Sequence, residues 1–308
     1  MSRQCRSISV VVNPASAGGS TARLWPRAEA ALRTAGFVLD VHITEGPNHA
    51  TALAHKAGES GYHVVLYVGG DGTANEVANG LLQLPRQDRP ALASLPRGSG
   101  GDFPRALGMR PGIEQAVARL KADRRLAIDV AHSTFSAPSR TSVDRAFINV
   151  ADAGLGGVVV ERVNQSRKPL GGTIAFLWGS LTSFWTYANT PMKIVVDSTI
   201  IHEGPTATAV IANGNYFGGG LRIAPAARFD DGFLDIVVVG DINKADLITQ
   251  LPHLYRGTHV RHPKVSIFRG REVSVESAVP SPLDLDGEQP GYTPFHVSLE
   301  PGAIDVLI

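Results

Sequence analysis

The segment VVLYVGGDGTANEVANGL, residues 64–81, joins an apolar run to a turn of three glycines around Asp71 and then to a helix-like pattern. A short apolar run closed by glycine reads as a buried strand, and the pattern after the turn reads as the helix it feeds. The turn poses a chemical problem. Glycines let backbone N–H groups approach a phosphate, and a helix N-terminus adds partial positive charge, but an aspartate repels phosphate unless a cation lies between them. A bridging Mg²⁺, as in phosphoryl transfer, resolves the conflict. The plainer alternative is that Asp71 caps the helix beginning near Thr73.

Two further glycine-rich turns decide how much weight the first can bear. NPASAGGS (13–20) follows the apolar SISVVV, and PRGSGGDF (96–103) follows ALASLP. Any tight strand-to-helix connection can use glycine, so one such turn is weak support, whereas three at one sheet edge are hard to dismiss. None is a P-loop or a dinucleotide fingerprint. They offer acid beside hydroxyl instead: Asp71 with Thr73, and Asp102 with Ser99. Between the turns, helix-like stretches (20–36, 48–61 and 73–84) alternate with strands, which predicts a parallel sheet with right-handed crossovers and a ligand beyond the strands' carboxyl ends.

From about residue 127 the pattern becomes β-rich, with turns roughly every dozen residues and helical segments near 170–188 and 243–255. The reading is therefore an α/β N-terminal domain, 1–127, and a β-rich sandwich, 128–308. The C-terminal segment is free to pack back on the first domain. No flexible linker separates the halves, which places the expected site in a fixed cleft between them.

Composition narrows the class. The 308 residues are 43% hydrophobic and 19% charged, a globular balance, and a net charge of +1 gives no reason to expect nucleic acid. The single cysteine, Cys5, cannot form an internal disulfide and fits a reducing, cytoplasmic compartment; it lies in no motif. The first residues lack a secretion signal, and no apolar run is long enough to span a membrane. The densest stretch, GGTIAFLWGSLTSFWTYA (171–188), reads as an amphipathic helix, with Phe176, Trp178, Leu181, Phe184 and Trp185 facing a core or a lipid.

Taken in order, NPASAGG, GGDGTANEV and PRGSGGDFPRALG resemble the three motifs of the diacylglycerol kinase catalytic-domain family: NPxSGxG, GGDGTxNEV and PxGTxNDFAR. FINVADAGLGG, IANGNYFGGGLRIAPAARFDDGFLDIVVV (211–239) and LDGEQ (285–289) resemble its second domain, so the likeness covers nearly the whole chain. It is nearest to the soluble bacterial lipid kinases, with sphingosine kinases related and NAD kinases more distant.

The resemblance implies an NAD-kinase/phosphofructokinase-like first domain, with ATP at the glycine-rich edge and a lipid between the domains. Asn13, Pro14, Ala15, Ser16 and Ala17 would line the nucleotide, with Thr44 a further contact. Gly69, Gly70, Asp71, Gly72, Thr73, Ala74 and Asn75 would hold the phosphates, and Ser99 stands for the usual threonine. Asp71 and Asp102 would face a catalytic Mg²⁺. Glu288 would be the general base that takes the proton of the lipid hydroxyl, largely by positioning. A structural Mg²⁺ would use the Asp231 carboxylate and the carbonyls of Arg228 and Phe233. Implied too are a peripheral place at the membrane surface and room for a homodimer.

Departures bear on the acceptor more than on the chemistry. Gly101 replaces the usual asparagine, Ala17 the usual glycine, and Gly157 and Val158 an acid and an aromatic. Plainer roles stay open: Asp231 as a turn residue, Glu288 as a surface acid, and RGTHVRHPK (256–264) as a solvated basic loop. His259 and His262 lack the partners of a zinc site. The rival functions are a kinase for a soluble acceptor such as NAD and a catalytically silent nucleotide-binding module.

Overall fold

The computed structural model describes residues 7–97, 101–139, 141–165 and 187–308. The chain divides into two compact units, one of residues 1–129 and 302–308 and the other of residues 130–301.

In the first unit, β1 (Ser7–Val12), β2 (Val38–Ile43), β3 (Val64–Gly69) and β4 (Ala91–Pro96) form a parallel sheet in the order β2-β1-β3-β4, and Val306 of the last strand pairs with Leu92. β1, β3 and β4 are buried on both faces, which explains their nearly unbroken apolar runs. Helices α1 (Ser20–Thr34), α2 (His49–Glu59) and α3 (Asp71–Leu82) supply the crossovers. Trp25, Ala28 and Leu32 of α1 pack on Ile8, Val10, Leu66 and Leu95. The strand order reverses direction at β1 and β3, and such a switch point opens a crevice at the carboxyl ends of those strands. The turns after β1 and β3 lie there.

Two helices of this unit were not expected from the sequence, α4 (Asp102–Ala106) and α5 (Ile113–Ala122). α4 is too short to show a period. α5 buries only Ala116 and Leu120, so its apolar stripe is thin.

The second unit is an antiparallel sandwich. One sheet runs β12 (Val265–Gly270), β11 (Leu234–Val239), β10 (Thr208–Ala212), β7 (Val150–Gly154), β14 (Leu283–Leu285). The other pairs β9 (Thr199–Thr206) with β8 (Thr190–Val196), β8 with β13 (Glu272–Ser277), and β13 with β15 (Tyr292–Leu307). β5 (Arg125–Ser136) pairs with β6 (Ser142–Phe147). β5 and β15 each contribute residues to both units. Phe135, Phe147, Ile194, Ile211, Ile236 and Phe295 fill the core between the sheets.

The structure breaks two stretches that read as continuous β. MKIVVDSTIIHEG folds back at Asp197 and Ser198, both at positive φ, into the β8–β9 hairpin. KVSIFRGREVSVES divides at Arg271, so that β12 joins one sheet and β13 the other. The expected helix near 243–255 is α7 (Lys244–Arg256). The expected helix near 170–188, with Phe176, Trp178, Leu181, Phe184 and Trp185, lies almost wholly outside the described residues, as does Cys5. GLGGVVVERV forms α6 (Leu155–Gln165). Its glycines and valines are poor helix formers, but packing demands the glycines: a Cβ on Gly156 or Gly157 would come within 1.9 Å of Asp152 or 2.1 Å of the Pro282 carbonyl.

Candidate active site

Asn13 continues β1 and fastens two of the turns together. Its N–H bonds the Val68 carbonyl at 3.0 Å, its Nδ2 donates to Thr73 Oγ1 at 3.0 Å, and its Oδ1 accepts the Ala15 N–H at 3.1 Å. Ser16 closes the first turn through the Asn13 carbonyl and the Thr21 hydroxyl. Ala17, Gly18 and Gly19 then run at positive φ into α1. Ala17, at φ 52°, carries a Cβ where glycine is easier, a strain of about 1 kcal/mol. Thr44, buried just beyond β2, bonds the Val12 carbonyl at 2.9 Å and so joins the same edge.

In the second turn Gly69 lies so close to Thr73 that a Cβ would meet Oγ1 at 2.4 Å. Gly70 is extended, and α3 begins at Asp71. Thr73, Ala74 and Asn75 are buried in α3, and Asn75 bonds Asn79. Glu76 reaches sideways to accept the Ala50 N–H at 3.1 Å near the start of α2.

Asp71 does not cap its own helix, contrary to the plainer reading of the sequence. Its two carboxylate oxygens accept the N–H groups of Asp102, at 3.0 Å, and Phe103, at 3.3 Å, and so cap α4. The second turn is thereby tied to the third. Burial raises the Asp71 carboxyl above the usual range, opposed by the N–H groups of Asp102, Phe103 and Gly101 and by the Arg105 charge. Asp102 is buried and pairs with Arg105 at 2.7 Å. Gly101 sits at φ 62°, a conformation that asparagine shares with glycine, so the departure from the family's asparagine keeps the backbone path. Ser99 lies outside the described residues.

A cation at this edge escaped the sequence reading. Arg97 donates its backbone N–H to the Gly69 carbonyl, and its Nη2 stands 3.4 Å from Ser20 Oγ at the start of α1. Its Nε is buried with no hydrogen-bond partner among the described residues. The only clue in the sequence was a basic residue inside a glycine turn. A buried guanidinium donor at the end of the strand that follows the second turn, and a buried carboxylate in that turn, are the two kinds of group that a phosphate and a cation would complete. This edge fits Mg²⁺-ATP.

The remaining candidates belong to the second unit. In LDGEQ the chain turns through Asp286 (φ 50°) and Gly287 (φ 90°), closed by Leu285–Glu288 backbone bonds of 2.8 and 3.0 Å. The Asp286 carboxylate accepts the N–H groups of Ile148, Asn149 and Val150 at 2.8–3.0 Å and anchors the turn. Glu288 is presented outward, its carboxylate 2.8 Å from Arg145 Nη1.

The expected structural Mg²⁺ site is filled differently. Asp231 takes the Phe233 N–H at 3.1 Å, and its other oxygen is gripped by Arg269. Arg269 and Arg271 stack over the Phe233 ring at 4.8 and 5.0 Å, Arg271 donates to the Gly232 carbonyl, and Arg228 pairs with Asp230. A carboxylate already neutralised by a guanidinium, with two more nearby, does not suit a dication, so Arg228, Asp231 and Phe233 do not fit that role.

Comparison with known proteins agrees with this architecture. The diacylglycerol kinase catalytic domain profile matches residues 7–133, and that of the YegS C-terminal NAD kinase beta sandwich-like domain matches residues 149–308. A diacylglycerol kinase of Staphylococcus carnosus is 28% identical over 92% of this chain and 89% of its own. A protein of Chromohalobacter salexigens named as a YegS-like lipid kinase is 31% identical over 89% of this chain and 85% of its own. A Bacillus anthracis crystal structure assigned to a diacylglycerol kinase superposes with a TM-score of 0.78 at 24% identity, covering 98% and 97% of the two chains. An Archaeoglobus fulgidus NAD kinase solved with ATP shares the fold at a TM-score of 0.51 and 12% identity, covering 98% and 93%. The chain belongs to the diacylglycerol kinase catalytic-domain family of lipid kinases and carries its YegS-type second domain. It is a phosphotransferase with an alcohol group as acceptor.

Proposed function

We propose that this kinase transfers the γ-phosphoryl group of ATP, with Mg²⁺, to the hydroxyl of a lipid, and that diacylglycerol is the acceptor. The observation that carries the reading is the Asp71 carboxylate bound to α4, with the Arg97 Nε, buried and without a partner among the described residues, at the end of the strand that follows the same turn. Asn13, Pro14, Ala15, Ser16, Ala17 and Thr44 line the nucleotide, the backbone of residues 69–73 and Ser99 meet its phosphates, and Arg97 takes a phosphate oxygen. Asp71, backed by Asp102, holds the metal. Mg²⁺ supplies charge neutralisation at the transferring group when bound. Glu288 accepts the hydroxyl proton as the acceptor oxygen bonds to phosphorus and ADP leaves, and Arg145 orients its carboxylate.

A peripheral place on an anionic membrane finds support in α7. Ile248, Leu251 and Tyr255 are exposed at a spacing that shares one helix face. Beside them an open groove of about 480 Å³ is lined by His253, Arg256, Arg261 and His262. Among the described residues no helix is long and apolar enough to cross a membrane.

The test is an acceptor screen with labelled ATP, using diacylglycerol, monoacylglycerol, sphingoid bases, phosphatidylglycerol and NAD. Label in diacylglycerol supports the reading. Label in NAD alone would favour the soluble-acceptor rival, and nucleotide binding without transfer would favour a silent module.

A further inference from the structure

Strands β7 and β14 run antiparallel, with Asp152 directly opposite Asp284. The two residues are 1% and 7% exposed. Opposed residues project from one face of a sheet with their Cβ atoms about 5 Å apart, so two carboxylates meet here away from water. Asp152 Oδ1 accepts the Gly157 N–H at 3.1 Å and the Thr208 hydroxyl at 3.4 Å. Asp284 Oδ1 accepts the Gly287 N–H at 2.7 Å. The first turn of α6 lies on the pair, leaving no space for a Cβ on Gly156 against Asp152 Oδ2.

Among the described residues, the groups around the pair do not offer a counter-charge. Asp286 and Glu288 of the adjoining turn add negative charge, and Arg145 is paired with Glu288 at 2.8 Å. Tyr187 faces Asp152 as a neutral phenol, raised to about 12 chiefly by burial. On α6, Glu161 is engaged by the Tyr292 hydroxyl at 2.8 Å. Arg162 follows it without an ion pair to either aspartate among the described residues. Two unscreened carboxylates at this separation do not both ionise: one proton serves the pair.

We propose that Asp152 and Asp284 share a proton and, in that state, act as positioning residues for the turn that presents Glu288. The positioning role rests on the reading of Glu288 as the general base. The link is short, because Asp284 holds the N–H of the residue next to Glu288. Loss of the shared proton sets a second buried charge against Asp286 and Glu288 and loosens the turn. Burial raises both carboxyls, and the Asp152 charge raises Asp284 further. Since the folded state binds the proton more tightly than the unfolded one, the pair's stabilisation is complete at acid pH. It is lost as pH rises through the folded-state titration.

The experiment compares the parent with Asp152→Asn, Asp284→Asn and Asp284→Ala, measuring transfer to diacylglycerol and thermal stability from pH 5 to 9. An asparagine mimics the protonated partner permanently, so the alkaline fall in kcat moves up by about one pH unit or disappears. The loss of melting temperature between pH 5 and 9 shrinks in both asparagine variants. Asp284→Ala, which cannot hold Gly287, lowers kcat about tenfold without raising KM for ATP. Asparagine variants that keep the parent's alkaline limb and melting profile would overturn the proposal. If the parent phosphorylates nothing, the kinase reading fails by itself, and the melting profiles still decide whether the proton is shared.

Discussion

Asp71 serves both structure and the proposed chemistry with one carboxylate. Its two backbone bonds cap α4, yet its burial works against the charged form. Because the folded carboxyl is raised, Asp71 costs stability as pH rises through the carboxylate range and beyond. Asp71→Asn keeps an acceptor for α4 and removes the buried charge. At pH 8 the variant is expected to melt no lower than the parent while transfer falls at least about 100-fold, readable by calorimetry beside a label assay. Arg97→Ala is expected to leave the fold intact while removing the guanidinium that reaches Ser20. We expect KM for ATP to rise about tenfold with a small change in kcat, and Arg97→Lys to recover part of it. The type of these residues was visible in the sequence; their partners were not. That Asp71 reaches α4 depends on the β3–β4 register, which brings together residues 31 and 32 positions apart.

At the scale of elements, legibility followed the strength of periodicity. The buried strands β1, β3 and β4, with the helices between them, carried long apolar runs and clear stop signals, and the three glycine turns marked one edge. α4 and α6 were hidden because tertiary contacts, not propensity, hold them: Asp71 caps one, and glycine packing against Asp152 and Pro282 admits the other. The loop of residues 228–233 shows the same limit. Spacing alone allowed a metal there, but Arg269, 38 residues beyond Asp231, arrives from β12 and supplies the positive charge. EDTA is therefore expected to leave the melting temperature unchanged, whereas Arg269→Ala lowers it by a few degrees. A clear fall on chelation, reversed by Mg²⁺, would restore the metal reading.

Across the whole molecule the formal charge is only +1, so the proposed attachment to a membrane must come from local features. The α7 face concentrates three exposed apolar side chains beside a basic groove. Replacing Ile248 and Tyr255 with aspartate is expected to reduce sedimentation with anionic vesicles about tenfold while transfer to a short-chain, dispersed diacylglycerol persists. Equal sedimentation of parent and variant would move the membrane contact elsewhere. The central claim, that the glycine-rich edge delivers the γ-phosphoryl of Mg²⁺-ATP to a lipid hydroxyl, meets its most direct test in one measurement. Diacylglycerol in mixed micelles is incubated with γ-labelled ATP, Mg²⁺ and either the parent or Asp71→Asn. The proposed mechanism predicts labelled phosphatidic acid with the parent and almost none with the variant. No label in any lipid, or equal label with both proteins, would contradict it.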